Sequence, residues 1–244
     1  MKQHCNETVL VMGAGDAIGS AIVRKFAEAG YIVCAARRNA ERLKPLVSEM
    51  ATAGHCVHAF TCDARQEAAV EELFSKIESD IGPLAAVIFN VGANVPMGIL
   101  ETSSRKFHKI WEMACFGGFL TGREAARYMV ERGKGTILFT GATASVRGGS
   151  GFAAFASAKH GLRALAQSMA RELGPKNIHV GHIIIDAAVD TDWILENVPE
   201  SVELKTRDGI VNPDDLATTY LQLHEQPRNA WTFELDIRPW IEKW

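Results

Sequence analysis

The chain has 244 residues, a length that fits one α/β domain built around a single large core. Its 26 basic and 29 acidic side chains give a formal net charge of -3, which lacks the basic excess of nucleic-acid-binding proteins. No apolar run approaches the roughly 20 residues that cross a bilayer. Neither a nucleic acid nor a membrane is therefore expected as a partner.

Short segments rich in apolar and β-branched residues alternate along the chain with longer segments whose apolar residues have helical spacing. The predicted strands are 8–12, 31–36, 56–62, 85–90, 135–140, 178–185 and 231–235. The predicted helices are 20–29, 40–53, 68–80, 105–132, 152–173 and 214–224. This order predicts an α/β fold with a doubly wound parallel sheet, a Rossmann-type three-layer sandwich, as a single dinucleotide-binding domain over residues 1–244.

One stretch of the chain, 186–212, lacks this regularity and mixes charged residues with large apolar ones such as Trp193. Long irregular connections in compact domains often cover a binding site. We therefore expect 186–212 to be a substrate-covering loop or a short helical lid.

The first strand runs directly into a glycine-rich turn and then into the first helix. This turn contains Gly13, Gly15, Asp16, Ile18 and Gly19. Glycine permits a tight turn and a close approach of the backbone to a pyrophosphate, whose charge is favoured at a helix N-terminus. Ordinary strand-to-helix turns also contain glycine, but the place of this turn after the first strand of a βαβ unit favours phosphate binding.

The end of the second strand carries Ala36, Arg37 and Arg38. Proteins that prefer NAD(H) usually present an acidic residue to the ribose hydroxyls at this place. A guanidinium, from Arg37 first and Arg38 second, instead suits a 2′-phosphate through charge-assisted hydrogen bonds. The alternative is a solvated pair that caps the next helix. We expect NADP(H) to be favoured over NAD(H).

From the first strand to about residue 191, these features resemble the short-chain dehydrogenase/reductase family. The T-G-x-x-x-G-x-G fingerprint of that family corresponds to 12–19, with Ala17 in place of the middle glycine. Asp63 corresponds to the adenine-contacting aspartate, although an aspartate there also suits a helix cap. Asn90 and Gly92 lie in the segment that corresponds to N-N-A-G. The resemblance implies that Asp63, Asn90 and Gly92 contact the nucleotide.

The catalytic positions of the family are altered in this chain. In the family a tyrosine exchanges the proton, a serine orients the substrate oxygen, and a lysine lowers the pKa of the tyrosine and holds the ribose. The Y-x-x-x-K motif corresponds to 155–159, so Phe155 replaces the tyrosine while Lys159 is kept. Ala142 takes the serine position and Ala114 the position of a helix asparagine. The chain resembles a divergent subgroup with Phe for Tyr and an intact Lys.

Phenylalanine can neither ionise nor donate a hydroxyl proton, so the ordinary acid/base chemistry is lost at Phe155. Lys159, Phe155 and Thr143, the hydroxyl nearest to the serine position, are the predicted catalytic residues. Thr191 is expected near the nicotinamide amide. Four further residues could replace the proton donor, namely Ser145, Ser150, His160 and Asp186. Each of these is more often a turn, cap or solvated residue than a catalyst.

The leading hypothesis for function is an NADP(H)-dependent oxidoreductase that acts on a small organic substrate with altered proton delivery. A conjugated C=C suits such a site better than a ketone, whose developing alkoxide needs immediate stabilisation. A nucleotide-binding pseudoenzyme or scaffold without redox turnover is the alternative. A lyase, isomerase or dehalogenase on a reused fold is a third possibility that no residue selects.

Assembly and location follow from weaker signals. Family members commonly form dimers or tetramers, so we expect a homodimer or homotetramer. The aromatic end of the chain, with Trp240 and Trp244, suits a subunit contact or packing within the same chain.

The five cysteines are odd in number and lack the spacing of metal ligands, so reduced thiols and no metal site are expected. The polar segment 1–8 leaves no room for a signal peptide, which predicts a cytoplasmic protein.

Overall fold

Among residues 7–242, which the computed structural model describes, seven parallel strands form one sheet. The strands are β1 (Thr8–Met12), β2 (Ile32–Arg37), β3 (Val57–Thr61), β4 (Leu84–Phe89), β5 (Gly135–Thr140), β6 (Ile178–Ile185) and β7 (Glu234–Ile237). Their order is β3-β2-β1-β4-β5-β6-β7, so the winding direction reverses between β1 and β4. Ligands of open parallel sheets bind at such a switch point. The predicted doubly wound, Rossmann-type single-domain fold is confirmed.

Helices cover both faces of the sheet. They are α1 (Ile18–Glu28), α2 (Lys44–Thr52), α3 (Glu67–Asp80), α4 (Ser104–Trp111), α5 (Gly117–Arg132), α6 (Ala153–Leu173), α7 (Asp192–Asn197), α8 (Glu200–Lys205) and α9 (Pro213–His224). Residues of α1, α2 and α9 share one buried apolar cluster with the sheet, and residues of α3, α5 and α6 share the other. Strands β1 and β4 are buried along their full length because helices lie on both sides of them.

The helix predicted over 105–132 is divided in the structure. A π-helical turn, Glu112–Phe116, separates α4 from α5. A Cβ atom at Gly118 would lie 2.4 Å from Leu162 and 3.1 Å from Phe89, so glycine permits a very close approach between this helix, α6 and β4. The wider π turn shifts the phase of the apolar residues between the two parts of the helix, which the regular 3.6-residue period did not indicate.

The last strand differs from the prediction. We predicted 231–235, but β7 begins at Glu234, which lies opposite His182 of β6. Trp231 stacks on His179 with ring centres 5.0 Å apart instead of joining the ladder. The apolar residues that indicated a strand are thus used for side-chain packing before the strand begins.

The 186–212 stretch contains the two short helices α7 and α8, held by a bridge between Val189 and Val211. Its Trp193 is 59% exposed. A role in covering substrate stays a prediction.

Trp240 is also exposed, and its indole N–H donates to the carbonyl of Arg207, whereas Trp244 lies outside the described residues. No helix within residues 7–242 has the length and apolar character to span a membrane.

Candidate active site

Two adjoining cavities open at the carboxyl ends of the strands, at the switch between β1 and β4. The first, here called the arginine cavity, has about 530 Å³ and is bordered by Arg37, Arg38, Arg42 and Arg65. The second, the lysine cavity, has about 390 Å³ and contains Lys159 in its wall. Four residues border both cavities and join them into one groove, namely Gly13, Gly15, Asn90 and Gly92.

The glycine-rich turn forms the floor between the two cavities. Gly13 has a φ of 91°, and a Cβ atom there would lie 2.9 Å from the carbonyl of Asn90. The Asn90 side-chain amide in turn donates to the carbonyl of Gly13 at 3.0 Å. A Cβ atom at Gly19 would lie only 2.5 Å from that same carbonyl oxygen. Only glycine therefore fits at positions 13 and 19 without displacing the backbone.

The start of α1 fits a phosphate group. Its N-cap is Ala17, whose side chain accepts no hydrogen bond, so no side chain of the cap competes for the first amides of the helix. Such amides and the helix dipole favour an anion. Ala17 has a φ of -112°, which is outside the left-handed region, so position 17 does not need glycine to reach a positive φ.

The arginine cavity contains more guanidinium groups than we predicted. Arg37 and Arg38 border it as expected, and the 3₁₀ turn Ala40–Leu43, capped by the Asn39 side chain, adds Arg42. Arg65 is the fourth. Ala36 is fully buried, so position 36 presents neither a charge nor a polar group to the cavity. This corner of the groove suits an anionic group.

Two carboxylates accompany these arginines. Asp16 accepts hydrogen bonds from Arg37 at 2.6 Å and from Arg42 at 3.0 Å. Asp63 accepts from Arg65 at 2.5 Å, and this hydrogen bond is the main reason why the pKa of Asp63 is lowered. Both predicted nucleotide residues thus lie at the groove, and both are paired with arginines.

Lys159 and Phe155 lie one turn apart on α6 and both border the lysine cavity. Lys159 is 3% exposed, and its Nζ donates to the carbonyls of Thr140 at 2.7 Å and Val91 at 3.5 Å. Burial lowers the pKa of Lys159 to about 8, and nearby Cys115 opposes the shift. The ammonium keeps one further N–H for a ligand, because lysine has three donors.

The wall opposite the ammonium is apolar. Phe155 and Ala142, which we predict to correspond to the tyrosine and serine of the family, both border the cavity. Of the described residues in this wall, only Thr140 and Thr191 have hydroxyl groups. Thr140 pairs with the Tyr220 hydroxyl, and Thr191 caps α7. Thr191 thus lies at the predicted end of the groove, but its hydroxyl is engaged with the backbone.

The predicted replacement donors lie away from this wall. Thr143 donates to Asp186 at 2.5 Å and, like Asp186, does not border the lysine cavity. Ser145 is fully buried, and its hydroxyl accepts from the amide of Ala142. His160 approaches the carbonyl of Ala156 within its own helix at 2.9 Å. The structure therefore brings Lys159 and Phe155 together at the cavity, but not Thr143 with them.

A buried histidine lies behind the cavity, and no feature of the sequence indicated it. His182 is fully buried in β6, and its Nδ1 lies 3.0 Å from a Glu234 carboxylate oxygen. Arg163 holds the same carboxylate with two hydrogen bonds of 2.7 Å. Burial lowers the pKa of His182 to about 4. A Cβ atom at Gly141, which borders the lysine cavity, would lie 2.5 Å from the His182 Nε2.

Cysteines and acidic residues form no further centre among the residues described. Cys34, Cys56, Cys62 and Cys115 are free thiols. Within residues 7–242, no group of three or more His, Cys, Asp or Glu side chains is placed to hold a metal ion.

Known proteins resemble this chain over most of its length. A family described as short chain dehydrogenase matches residues 7–199. The crystal structure of a short-chain dehydrogenase from Rhodopseudomonas palustris is 53% identical, with a TM-score of 0.84 over 96% of this chain and 99% of that one. The 2,3-dihydro-2,3-dihydroxybenzoate dehydrogenase of Bacillus subtilis is 29% identical over 87% of either chain.

A more distant structure shares the fold alone. It is a metagenomic short-chain oxidoreductase in complex with NADP, 21% identical with a TM-score of 0.83 over 97% of this chain and 98% of that one. The resemblance stated from the motifs is confirmed at the level of the family, while the subgroup with phenylalanine for tyrosine stays a prediction. The chain belongs to the short-chain dehydrogenase/reductase family.

Proposed function

We propose that this protein is an NADP(H)-dependent oxidoreductase that acts on a small organic substrate and delivers the proton without a tyrosine. The observation that carries this proposal is the contrast between the two ends of the groove. The nucleotide end has its glycine turn, four arginines and Lys159, whereas Phe155 and Ala142 line the reacting end. Membership of an oxidoreductase family supports redox chemistry at this site.

The preference for NADP(H) rests on charge in the arginine cavity. Four guanidinium groups face two carboxylates, those of Asp16 and Asp63, which leaves a local excess of positive charge. A ribose 2′-phosphate brings up to about two negative charges and several acceptor oxygens. Arginine forks bind such groups through paired, charge-assisted hydrogen bonds. Because Ala36 is apolar, no acidic side chain at position 36 receives the ribose hydroxyls of NAD(H).

At the other end of the groove, the bound nicotinamide supplies or accepts the hydride. Lys159 is the cationic donor of the lysine cavity, and its free N–H is available to ribose hydroxyls. The Phe155 ring makes the same wall apolar and cannot donate or accept a proton. The proton therefore reaches the product from water or from Lys159 itself.

This division of roles favours an activated alkene over a plain ketone. Reduction of a ketone creates an alkoxide at the reacting centre, which needs an adjacent donor during the step. At this wall Ala142 and Phe155 offer none, and the Thr140 hydroxyl is paired with that of Tyr220. The Thr191 hydroxyl accepts from the Ile194 amide and lies where we expect the nicotinamide amide. Reduction of a conjugated C=C places the charge on a more distant oxygen, where protonation can follow later.

A nucleotide-binding pseudoenzyme is the second candidate. The replacement of tyrosine by Phe155, with apolar residues at the serine and asparagine positions, favours it, since Ala114 and Ala142 are both apolar. It predicts nucleotide binding without transfer to any acceptor. An intact nucleotide end alone is compatible with both candidates.

We propose further that the protein acts in the cytoplasm as a homodimer or homotetramer. Phe107 on α4 and Phe119 on α5 are large apolar side chains that remain 37% and 38% exposed in the single chain. Phe119 stacks on Phe116, which stacks on Trp111, so an aromatic row runs along this surface. Aromatic residues are enriched where subunits meet.

Isotope transfer tests the proposed function. Purified protein is incubated with NADPH deuterated at the transferable C4 position and with a panel of enones, quinones, ketones and aldehydes, and products are examined by mass spectrometry. Deuterium in an enone product at a rate above that of a Lys159→Ala variant supports the oxidoreductase. Tight NADPH binding without transfer to any acceptor supports the pseudoenzyme. Absence of nucleotide binding contradicts both.

A further inference from the structure

Asp16 bridges two arginines of the nucleotide site. It lies in the glycine-rich turn, between Gly15 and Ala17, and one carboxylate oxygen accepts from Arg37 at 2.6 Å. The other oxygen accepts from Arg42 at 3.0 Å. The same carboxylate thus engages the arginine expected to bind a 2′-phosphate and a second arginine of the same cavity.

The bridge occupies the donors that the phosphate needs. The side chain of Arg37 is 16% exposed and lies against the wall, whereas those of Asp16 and Arg42 are 62% exposed. Within residues 7–242, Asp16 is the hydrogen-bonding partner of both guanidinium groups. Arg38 also borders the cavity and interacts electrostatically with Asp63, but it forms no hydrogen bond or ion pair within 4 Å in that part of the chain, so its donors are open to a phosphate.

We propose that Asp16 is a resident counter-anion of the 2′-phosphate site and that it sets the affinity for NADP(H). This inference rests on the proposed function, because it assigns a role to Asp16 in the recognition of that cofactor. A phosphate monoester displaces the carboxylate from Arg37 and Arg42, so part of the gain from binding offsets the loss of the bridge. NAD(H) has no 2′-phosphate and leaves the bridge in place.

The electrostatics of the corner favour displacement over joint occupation. Two anions that share one guanidinium repel each other, and the carboxylate of Asp16 is mostly exposed and easily hydrated. Exposed ion pairs are weak, whereas a phosphate carries about twice the charge of a carboxylate. Asp16 therefore reduces the discrimination between NADP(H) and NAD(H), and it neutralises two neighbouring arginines when no nucleotide is bound.

Asp16→Asn tests this role, with Asp80→Asn as the matched control. Asp80 is an exposed carboxylate of α3 paired with Lys76, so its replacement changes the net charge equally but far from the arginines. Dissociation constants are measured by calorimetry for NADPH, NADH and the fragments adenosine 2′,5′-bisphosphate and adenosine 5′-monophosphate. We expect Asp16→Asn to tighten NADPH and the bisphosphate by roughly 3- to 10-fold, which lies within the range of the two exposed ion pairs of the bridge. NADH and the monophosphate should change by less than about 2-fold.

Two further results decide the matter. In the Arg37→Ala background, Asp16→Asn should tighten NADPH less, because one arm of the bridge has gone. The slope of log Kd against log salt for the bisphosphate should become steeper in Asp16→Asn and stay unchanged in Asp80→Asn. Equal or weaker NADPH binding by Asp16→Asn, repeated with Asp16→Ser, overturns the inference. If the native chain itself prefers NADH, the cofactor assignment fails instead.

Discussion

The Nζ atom of Lys159 lies 5.9 Å from the centre of the Phe155 ring, so an ammonium group faces an aromatic ring where the family resemblance predicts a hydroxyl. The aromatic face attracts the cation but has no proton to exchange. Lys159 therefore keeps its charge and its contacts to Thr140 and Val91 without a phenol to activate. Lys159 can therefore still bind a nucleotide, whereas the neighbouring Phe155 cannot act as an acid.

Restoring the two missing hydroxyls should restore ketone reduction. General acid catalysis typically contributes roughly 100- to 10,000-fold, so Phe155→Tyr with Ala142→Ser should raise kcat/KM for ketones by part of that range. Phe155→Tyr alone should gain less, because Ala142 leaves the substrate oxygen without an orienting donor. Rates are measured as NADPH oxidation with a panel of ketones and aldehydes.

Lys159→Ala is the control for this experiment and should weaken nucleotide binding in either background. Efficient native ketone reduction, near a typical turnover of about 10 per second, would contradict the prediction if it persisted after replacement of Thr143, Ser145 and His160. Such persistence would require a proton source outside the residues that we identified.

The buried ammonium of Lys159 should make stability depend on pH. Burial lowers its pKa to about 8, while an ordinary lysine titrates near 10.5. Between these values the unfolded chain holds a proton that the folded chain has released, so the free energy of unfolding rises with pH in this window. Lys159→Met should remove that rise. Denaturant unfolding of both proteins, without nucleotide, gives the difference, and a difference that stays flat from pH 8 to 10.5 would contradict the prediction.

Arg37→Ala should narrow the preference for NADPH over NADH. Loss of a guanidinium-phosphate contact costs on the order of 1 to 3 kcal/mol, whereas the affinity for NADH should change much less. Both nucleotides are titrated at matched ionic strength, and Arg171→Ala, an exposed arginine of α6 bonded to its own helix, is the control. Tighter NADH binding by the native chain would reject the assignment.

Local sequence patterns were sufficient to predict much of the nucleotide end of the groove. The glycine turn, Arg37 and Arg38 follow directly from strands that the sequence indicates, so their position at the sheet edge could be predicted. Arg42 could not, because a 3₁₀ turn capped by Asn39 folds it back over the groove. A single 3₁₀ turn is too short to leave a helical period in the sequence, so it was not predicted.

The direction of two side chains could not be predicted from the sequence. Thr143 follows the serine position directly, yet the 3₁₀ turn Thr143–Ser145 aims its hydroxyl at Asp186. His182 lies within a mostly apolar strand that also contains His179, so the sequence does not single it out, and its partner Glu234 is distant in sequence. Of the three predicted catalytic residues, Lys159 and Phe155 thus border the cavity, whereas the Thr143 hydroxyl points to Asp186.

The aromatic surface of α4 and α5 should mediate assembly. We expect light scattering to give the mass of a homodimer or homotetramer at micromolar concentration. Phe119→Arg should shift the protein toward the monomer, because it buries a charge and places it beside Arg123, whose guanidinium lies 5.3 Å from the Phe119 ring. Val202→Arg, on an exposed position of α8, is the control. A native protein that is monomeric at micromolar concentration would contradict the prediction.

Gly141 and His182 should be energetically coupled. A Cβ atom at Gly141 would lie 2.5 Å from the His182 Nε2 and 2.9 Å from the carbonyl of Ile183, so Gly141→Ala should destabilise the fold by about 1 to 3 kcal/mol through overpacking. His182→Ala removes the closer of these contacts. The double variant should therefore lose less than the sum of the two single variants, with a coupling energy of roughly 0.5 to 3 kcal/mol.

Urea unfolding of the four proteins in this cycle measures the coupling. Gly92→Ala is the control, because a Cβ atom there meets nothing within 4 Å, and it should change the free energy of unfolding little. Additive losses would mean that the backbone at Gly141 moves away from His182 without cost. Coupling would show instead that the buried imidazole of His182 requires glycine at position 141, in the wall of the lysine cavity.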